Sequence, residues 1–221
     1  MLYGIIADIH SNLEAFRAVL DELRQVDQIV CAGDIVGYGP GPNECIRNMQ
    51  ERNIYSVAGN HDKAAVREMS TEGFNENAKI AVEWTNGQLT ANSVQYLRSL
   101  PLTLEFEDFQ IVHGSLVNPL EEYLTSLGEA MPTFGLMTKP LLFVGHTHRP
   151  ARFEYQGKAI INPGGVGQPR DGDHRASFGI YDSEKKEFVL RRVEYNIQLV
   201  QEKMIKAGLP QPLIDRLSFG R

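Results

Sequence analysis

Residues 2–34 read LYGIIADIHSNLEAFRAVLDELRQVDQIVCAGD. Two short apolar runs each end in an aspartate, Asp8 and Asp34. Between them Leu13, Phe16, Val19, Leu20 and Leu23 recur at the spacing of one helix face. Apolar runs without polar alternation read as strands covered on both sides, the usual state of parallel strands. The segment therefore predicts strand, helix, strand, with Ser11 or Asn12 as the helix cap. The alternation continues through NECIRNMQER (43–52), a second helix, to IYSVAGN (54–60), a third strand ending in Asn60. Such a β-α-β-α-β order implies an α/β fold built on parallel strands.

Beyond Asn60 the region from Lys63 to Ser99 reads as mainly helical, with Trp84 and Leu97 inward and Pro101 closing it. LTLEFEDFQIVHG (102–114) predicts a hairpin turning at Glu107 and Asp108, and residues 120–139 an irregular helical stretch before the strand LLFVGHTH (141–148). Two further hairpins turn at Gln156–Gly157 and at Ser183–Lys186, and a helix is expected over 197–207. Repeats, low-complexity tracts and linkers are absent from the sequence, so one domain over residues 1–221 is the expectation.

Composition excludes several classes. With 42% hydrophobic and 23% charged residues the chain reads as an ordinary globular protein, and no apolar run approaches the roughly 18 residues a membrane span needs. The net charge of -6 lacks the basic stripe that general nucleic-acid binding requires. The N-terminal MLYGIIADIH has neither a basic lead-in nor a cleavage site, so a cytoplasmic location is expected. Cys31 and Cys45 are too few for a disulfide framework or thiolate cluster and read as core thiols. Nothing in the sequence fixes an oligomeric state.

The polar residues of the apolar runs carry the functional signal. Asp8, His10, Asp34, Asn60, His113, His146 and His148 each stand at the C-terminal end of a predicted strand or just beyond it, the edge where α/β sheets bind ligands. Any one of them alone would read as turn chemistry or a core histidine. Together, five of the six histidines fall in these loops, and only His174 lies elsewhere. Asp8 with His10, and His146 with His148, are spaced to point to one side of an extended backbone, each pair gripping one site. Seven oxygen and nitrogen donors without thiolate suit two divalent ions of borderline hardness such as Mn²⁺, Fe²⁺ or Zn²⁺. Paired ions of this kind activate water for in-line displacement at phosphorus, so phosphoester hydrolysis is the chemistry indicated.

The blocks DIH (8–10), GD (33–34), GNHD (59–62), VHG (112–114) and GHTH (145–148) occur in the order that resembles the calcineurin-like metallophosphoesterase superfamily, in particular its small, capless prokaryotic phosphodiesterase-like members. INPGGVGQPRDGD (161–173) is similar to the bacterial branch, with Gly165 where a serine is usual. The resemblance implies a four-layer αββα sandwich of two mixed sheets flanked by helices, with the dinuclear site at the strand C-terminal ends. It implies that Asp8, His10 and His148 hold one metal, that Asn60, His113 and His146 hold the other, and that Asp34 bridges both. Mn²⁺ is the first expectation, with Fe, Zn, Ni or Co as alternatives. His61 would contact the scissile phosphate beside Asn60 and protonate the leaving oxygen after attack by a metal-bound hydroxide.

One departure bears on substrate. The phosphoprotein phosphatases of the superfamily carry Asp and Arg three and four residues after the bridging aspartate, where this chain has Gly37 and Tyr38. Tyr38 then becomes a wall of the substrate pocket, and Arg149 or Arg170 the candidates for gripping phosphate. The expected substrate is a small phosphodiester or nucleotide phosphoanhydride. A phosphomonoesterase, a phosphoprotein phosphatase and a non-catalytic scaffold of the same fold are the alternatives. A paired-metal TIM barrel would also collect strand-end histidines, but it needs more strand-helix units than this chain holds.

Overall fold

A computed structural model describes residues 1–221. The first half builds β1 (Leu2–Ile6), α1 (Leu13–Glu22), β2 (Gln28–Cys31), α2 (Pro42–Glu51), β3 (Tyr55–Ser56), α3 (Asn60–Ala65), α4 (Glu76–Gln88) and α5 (Ala91–Ser99). The second half contains β4 (Thr103–Glu105), β5 (Phe109–Val112), α6 (Leu127–Leu136), β6 (Leu141–Phe143), β7 (Ala151–Tyr155) and β8 (Lys158–Asn162). It ends with β9 (Ala176–Asp182), β10 (Glu187–Val193), α7 (Ile197–Lys206), α8 (Gln211–Asp215) and a 3-10 turn at Arg216–Ser218.

Two five-stranded sheets form, in the orders β10-β9-β1-β2-β3 and β4-β5-β6-β8-β7. Each is mixed: β1, β2 and β3 run parallel while β9 is antiparallel to β1, and β5, β6 and β8 run parallel between antiparallel β4 and β7. The sheets pack face to face through Ile5, Val30 and Val57 on one and Phe109, Ile111, Phe143 and Ile161 on the other. Phe16, Val19 and Leu20 of α1, Ile46 and Met49 of α2 and Leu97 of α5 pack together over the outer face of the first sheet. Ala130 and Phe134 of α6 cover the second, against Leu142 and Ile160. Each large side chain buried in this way contributes about 1.5–3 kcal/mol, so the layers hold by apolar area. The αββα layering expected from the resemblance is present.

Local differences from the sequence reading have physical causes. Asn12, not Ser11, caps α1, its Oδ1 accepting from the Ala15 amide at 3.1 Å. The expected helical region 63–99 is three helices, because Asn75 and Thr90 cap new starts. Leu97 is fully buried, whereas Trp84 only packs half-buried against a separate cluster. That cluster joins Ala78 and Ala81 of α4 to Val200 and Met204 of α7, to Leu213, Ile214 and Leu217, and to Tyr38. The segment after residue 207, for which no element was expected, thus closes over Tyr38. Both cysteines are buried and free. No helix is long and apolar enough to cross a membrane.

Candidate metal centre

The chain leaves its strands abruptly. Asp8, His10, Asp34, His146 and His148 all have positive φ, between 47° and 68°. This corrects the expectation of an extended backbone: the strands end at Ile6, Cys31 and Phe143, and left-handed turns present the donors. Such conformations cost non-glycine residues of order 1 kcal/mol each and cluster at functional sites. The turn also separates His146 from His148. They face different groups instead of gripping one.

Two groups of donors result. Asp8, His10, Asp34 and His148 bring ligand atoms within 4.8 Å of one another, and Asp34, His113 and His146 do likewise. Asn60 joins the second group, its Oδ1 lying 3.1 Å from His113 Nε2. Asp34 Oδ2 stands 3.4 Å from His10 Nε2 and 3.5 Å from His113 Nε2, between the two groups. The seven residues lie together as two groups that share Asp34, all nearly inaccessible to solvent.

Each imidazole is fixed by its other nitrogen. Nδ1 of His10, His113 and His148 donates to the carbonyls of Val36, Ala32 and Gln168, at 3.1, 2.8 and 2.6 Å. His146 uses Nε2 on the Glu121 carbonyl at 3.3 Å. With these hydrogens so assigned, the inward nitrogens carry lone pairs. His10 and His148 then oppose two lone pairs at 3.0 Å, and His113 and His146 do the same at 3.1 Å. Asp8 Oδ2, fully buried, has no partner. A cation in each group would relieve these oppositions, so the residues fit divalent ions, and the nitrogen and oxygen donor set without sulfur suits Mn, Fe or Zn.

Electrostatics agree. Burial pushes Asp8 up to about 7, partly offset by the His146 amide it accepts. Asp34 is raised by burial and then by Asp62 and Asp8. Burial lowers His10, His61 and His148, and takes His113 down to about 3. The histidines stay neutral and able to ligate.

His61 lies beside the donors without joining them. Its amide donates to Asp34 Oδ1 at 2.9 Å, and its buried Nδ1 has no partner. A Cβ on Gly37 would come within 2.6 Å of that Nδ1, so the lack of a side chain there leaves the His61 ring room to stand where it does. Tyr38 packs at 4.5 Å from the His61 ring and 4.6 Å from His10. An open cleft lies against Asn60, His61 and His146, walled by Tyr38, Met69, Phe74 and Tyr123. Arg170 places its guanidinium 5.6 Å from the Tyr38 ring centre. Exposed Arg149 instead donates to the Arg170 carbonyl at 2.8 Å.

Some residues that shape the site escaped the sequence reading. Asp62, fully buried, accepts from the amides of Val36 and Gly59 and so ties together the loops after β2 and β3. Its position next to His61 was the available signal. Tyr123 stacks on His146 at 3.8 Å, and Gln168 pins His148, from loops whose composition gives no hint of either.

A two-sheet sandwich with donors converging from the strand ends of both sheets defines a metallophosphoesterase-type architecture. Residues 1–186 match the calcineurin-like phosphoesterase superfamily domain, and the chain belongs to that family. It is 37% identical to protein MJ0912 of Methanocaldococcus jannaschii, over 100% of this chain and 98% of that one. The crystal structure of a metallophosphoesterase from Sphaerobacter thermophilus superposes with a TM-score of 0.91 at 41% identity, covering 100% of this chain and 99% of the other. Protein PH1004 of Pyrococcus horikoshii shares the fold with a TM-score of 0.89 at 22% identity, over 100% and 98% of the two chains.

Proposed function

We propose that the protein is a dinuclear metal-dependent phosphoesterase that hydrolyses phosphodiester or nucleotide phosphoanhydride bonds, with Mn²⁺ the first metal to test. The observation that carries this reading is the complete donor set shared through Asp34, with His61 adjacent and uncommitted. Divalent ions, when bound, supply Lewis-acid polarisation of the phosphoryl group and activation of the attacking water. Asn60 and His61 contact the phosphoryl oxygens, and His61 gives a proton to the leaving oxygen as the ester bond breaks. The walls formed by Phe74, Tyr38 and Tyr123 receive the ester substituent and hold it away from water. A phosphate anion entering beside His61 favours its protonated form, against the burial that otherwise keeps it neutral.

The preference for diesters and anhydrides follows from Tyr38. A monoester dianion gains most from an arginine clamp, and here that position holds an aromatic wall. The test compares kcat/KM under saturating Mn²⁺ for a bis-aryl phosphate, a dinucleoside polyphosphate, an aryl monophosphate and a phosphoserine peptide. The first two are expected to lead. A tenfold lead for the monoester or phosphopeptide, about 1.4 kcal/mol in transition-state binding, would reverse the assignment. Turnover of none of them with any of Mn, Fe, Zn, Ni or Co would favour a non-catalytic scaffold.

A further inference from the structure

Two arginines beside the site lack the carboxylate partners that Arg192 and Arg175 have. Arg192 pairs with Asp171 and Arg175 with Asp173, so both aspartates of the loop after Arg170 are already engaged. Arg170 Nη2 and Arg216 Nη1 meet no carboxylate; both donate to the single Oε1 of Gln168, at 3.0 and 3.2 Å. The Nε atoms of both are buried and unpartnered. Gln168 is itself only 2% exposed, and its backbone carbonyl holds His148. The pair is therefore built onto a donor of the candidate metal centre. Arg170 stands over Tyr38, whose ring packs on His10 and His61.

Two cations converging on one neutral acceptor repel each other; Asp8 and Asp34 attract Arg170 from the metal centre, and an added anion beside the pair would stabilise both arginines. Burial and then the charge of Arg170 hold Arg216 below the usual arginine value. Arg216 lies in the closing 3-10 turn, which brings the second arginine of the pair from the C-terminal end of the chain. Guanidinium groups suit phosphoryl oxygens because their planar forks donate two parallel hydrogen bonds.

We propose that Arg170 and Arg216 form an anion site for a second phosphoryl group, so that the preferred substrates are organic pyrophosphates rather than simple diesters. This rests on the phosphoesterase reading above and narrows it. Water attacks the phosphorus lying against Asn60 and His61, and the bond from that phosphorus to the bridging oxygen breaks. The second phosphoryl group departs with the bridging oxygen, held by Arg170 and Arg216. Of the two protons of water, one is released to solvent, and the other replaces on His61 the proton that His61 gives the leaving oxygen.

The experiment pairs a diaryl phosphate with the diaryl diphosphate of the same aryl group, measured on the metal-loaded protein. The wild type is expected to prefer the diphosphate at least tenfold in kcat/KM. Arg216→Gln should reduce kcat/KM for the diphosphate by about 10- to 100-fold, mainly through KM, and for the monophosphate diester by less than threefold. Arg216→Lys should recover part of the loss. Equal losses on both substrates, or no preference in the wild type, would overturn the inference while leaving phosphoesterase activity intact. A readout without turnover covers the case in which neither compound is cleaved. Sulfate should raise the melting temperature of the wild type more than that of an Arg170→Gln/Arg216→Gln double variant. Identical sulfate responses would refute the anion site.

Discussion

His61 shows how much a single position carries. It is buried, contacts Asp34 only through its backbone, and leaves its Nδ1 without a partner at the edge of the open cleft. His61→Ala removes none of the seven donors. Metal analysis after dialysis should therefore show the wild-type complement, while kcat falls by roughly 10² to 10⁴, the usual range for a lost general acid. The fall should be steeper for an alkyl leaving group than for an activated aryl one; equal falls would leave His61 an electrostatic role only. The residues that provide donor atoms were legible in the sequence because histidine and aspartate are out of place at the end of an apolar strand. The groups that aim them were not. His10, His113, His146 and His148 are fixed by backbone carbonyls, which every residue has and no sequence advertises.

At the scale of elements, the hairpins and the first parallel strands followed from alternation and turn residues: Gln156 and Gly157 do turn β7 into β8, both with positive φ. The pairing of β9 against β1 joins segments far apart in sequence, and no local pattern encodes it. The left-handed turns after β1, β2 and β6 were hidden for a related reason, since aspartate and histidine adopt them only where the surrounding loops enforce them. One such loop depends on Gly59, which sits at an ordinary φ of -95°, so its lack of a side chain is a matter of space. A Cβ there would collide with Asp34 Oδ1 and stand 2.7 Å from the carboxyl carbon. Gly59→Ala should push Asp34 out of its place between the two donor groups and cost about 1–3 kcal/mol of stability. Metal content below two ions per chain, with a lowered urea midpoint, is the expected result; two retained ions would show that the loop can yield without moving Asp34.

For the whole molecule, the donors come from both halves of the sandwich. Asp8, His10, Asp34 and Asn60 follow strands of the first sheet, and His113, His146 and His148 follow β5 and β6 of the second. Ions that need ligands from both sheets bind the folded chain and not the unfolded one, so they should raise the melting temperature in proportion to the logarithm of metal concentration. The sign of the pH dependence follows from the carboxylates. Asp8, raised to about 7, and Asp34, also raised, keep protons in the metal-free fold at pH values where the unfolded chain has lost them. The folded state then binds more protons than the unfolded, and the stability they contribute declines as pH rises toward and through their folded values. The histidines act oppositely, their low folded values costing stability below about 6.5, where unfolded imidazoles take up protons. Above that pH the carboxylates decide. Bound ions hold both carboxylates in the charged form and cancel the decline. The melting-temperature gap between Mn²⁺-loaded and chelator-treated protein should therefore widen from pH 6.5 to pH 8. Differential scanning calorimetry at a fixed free metal concentration measures it, and a gap that narrows over this interval would mean that Asp8 and Asp34 are not the groups the metal displaces protons from.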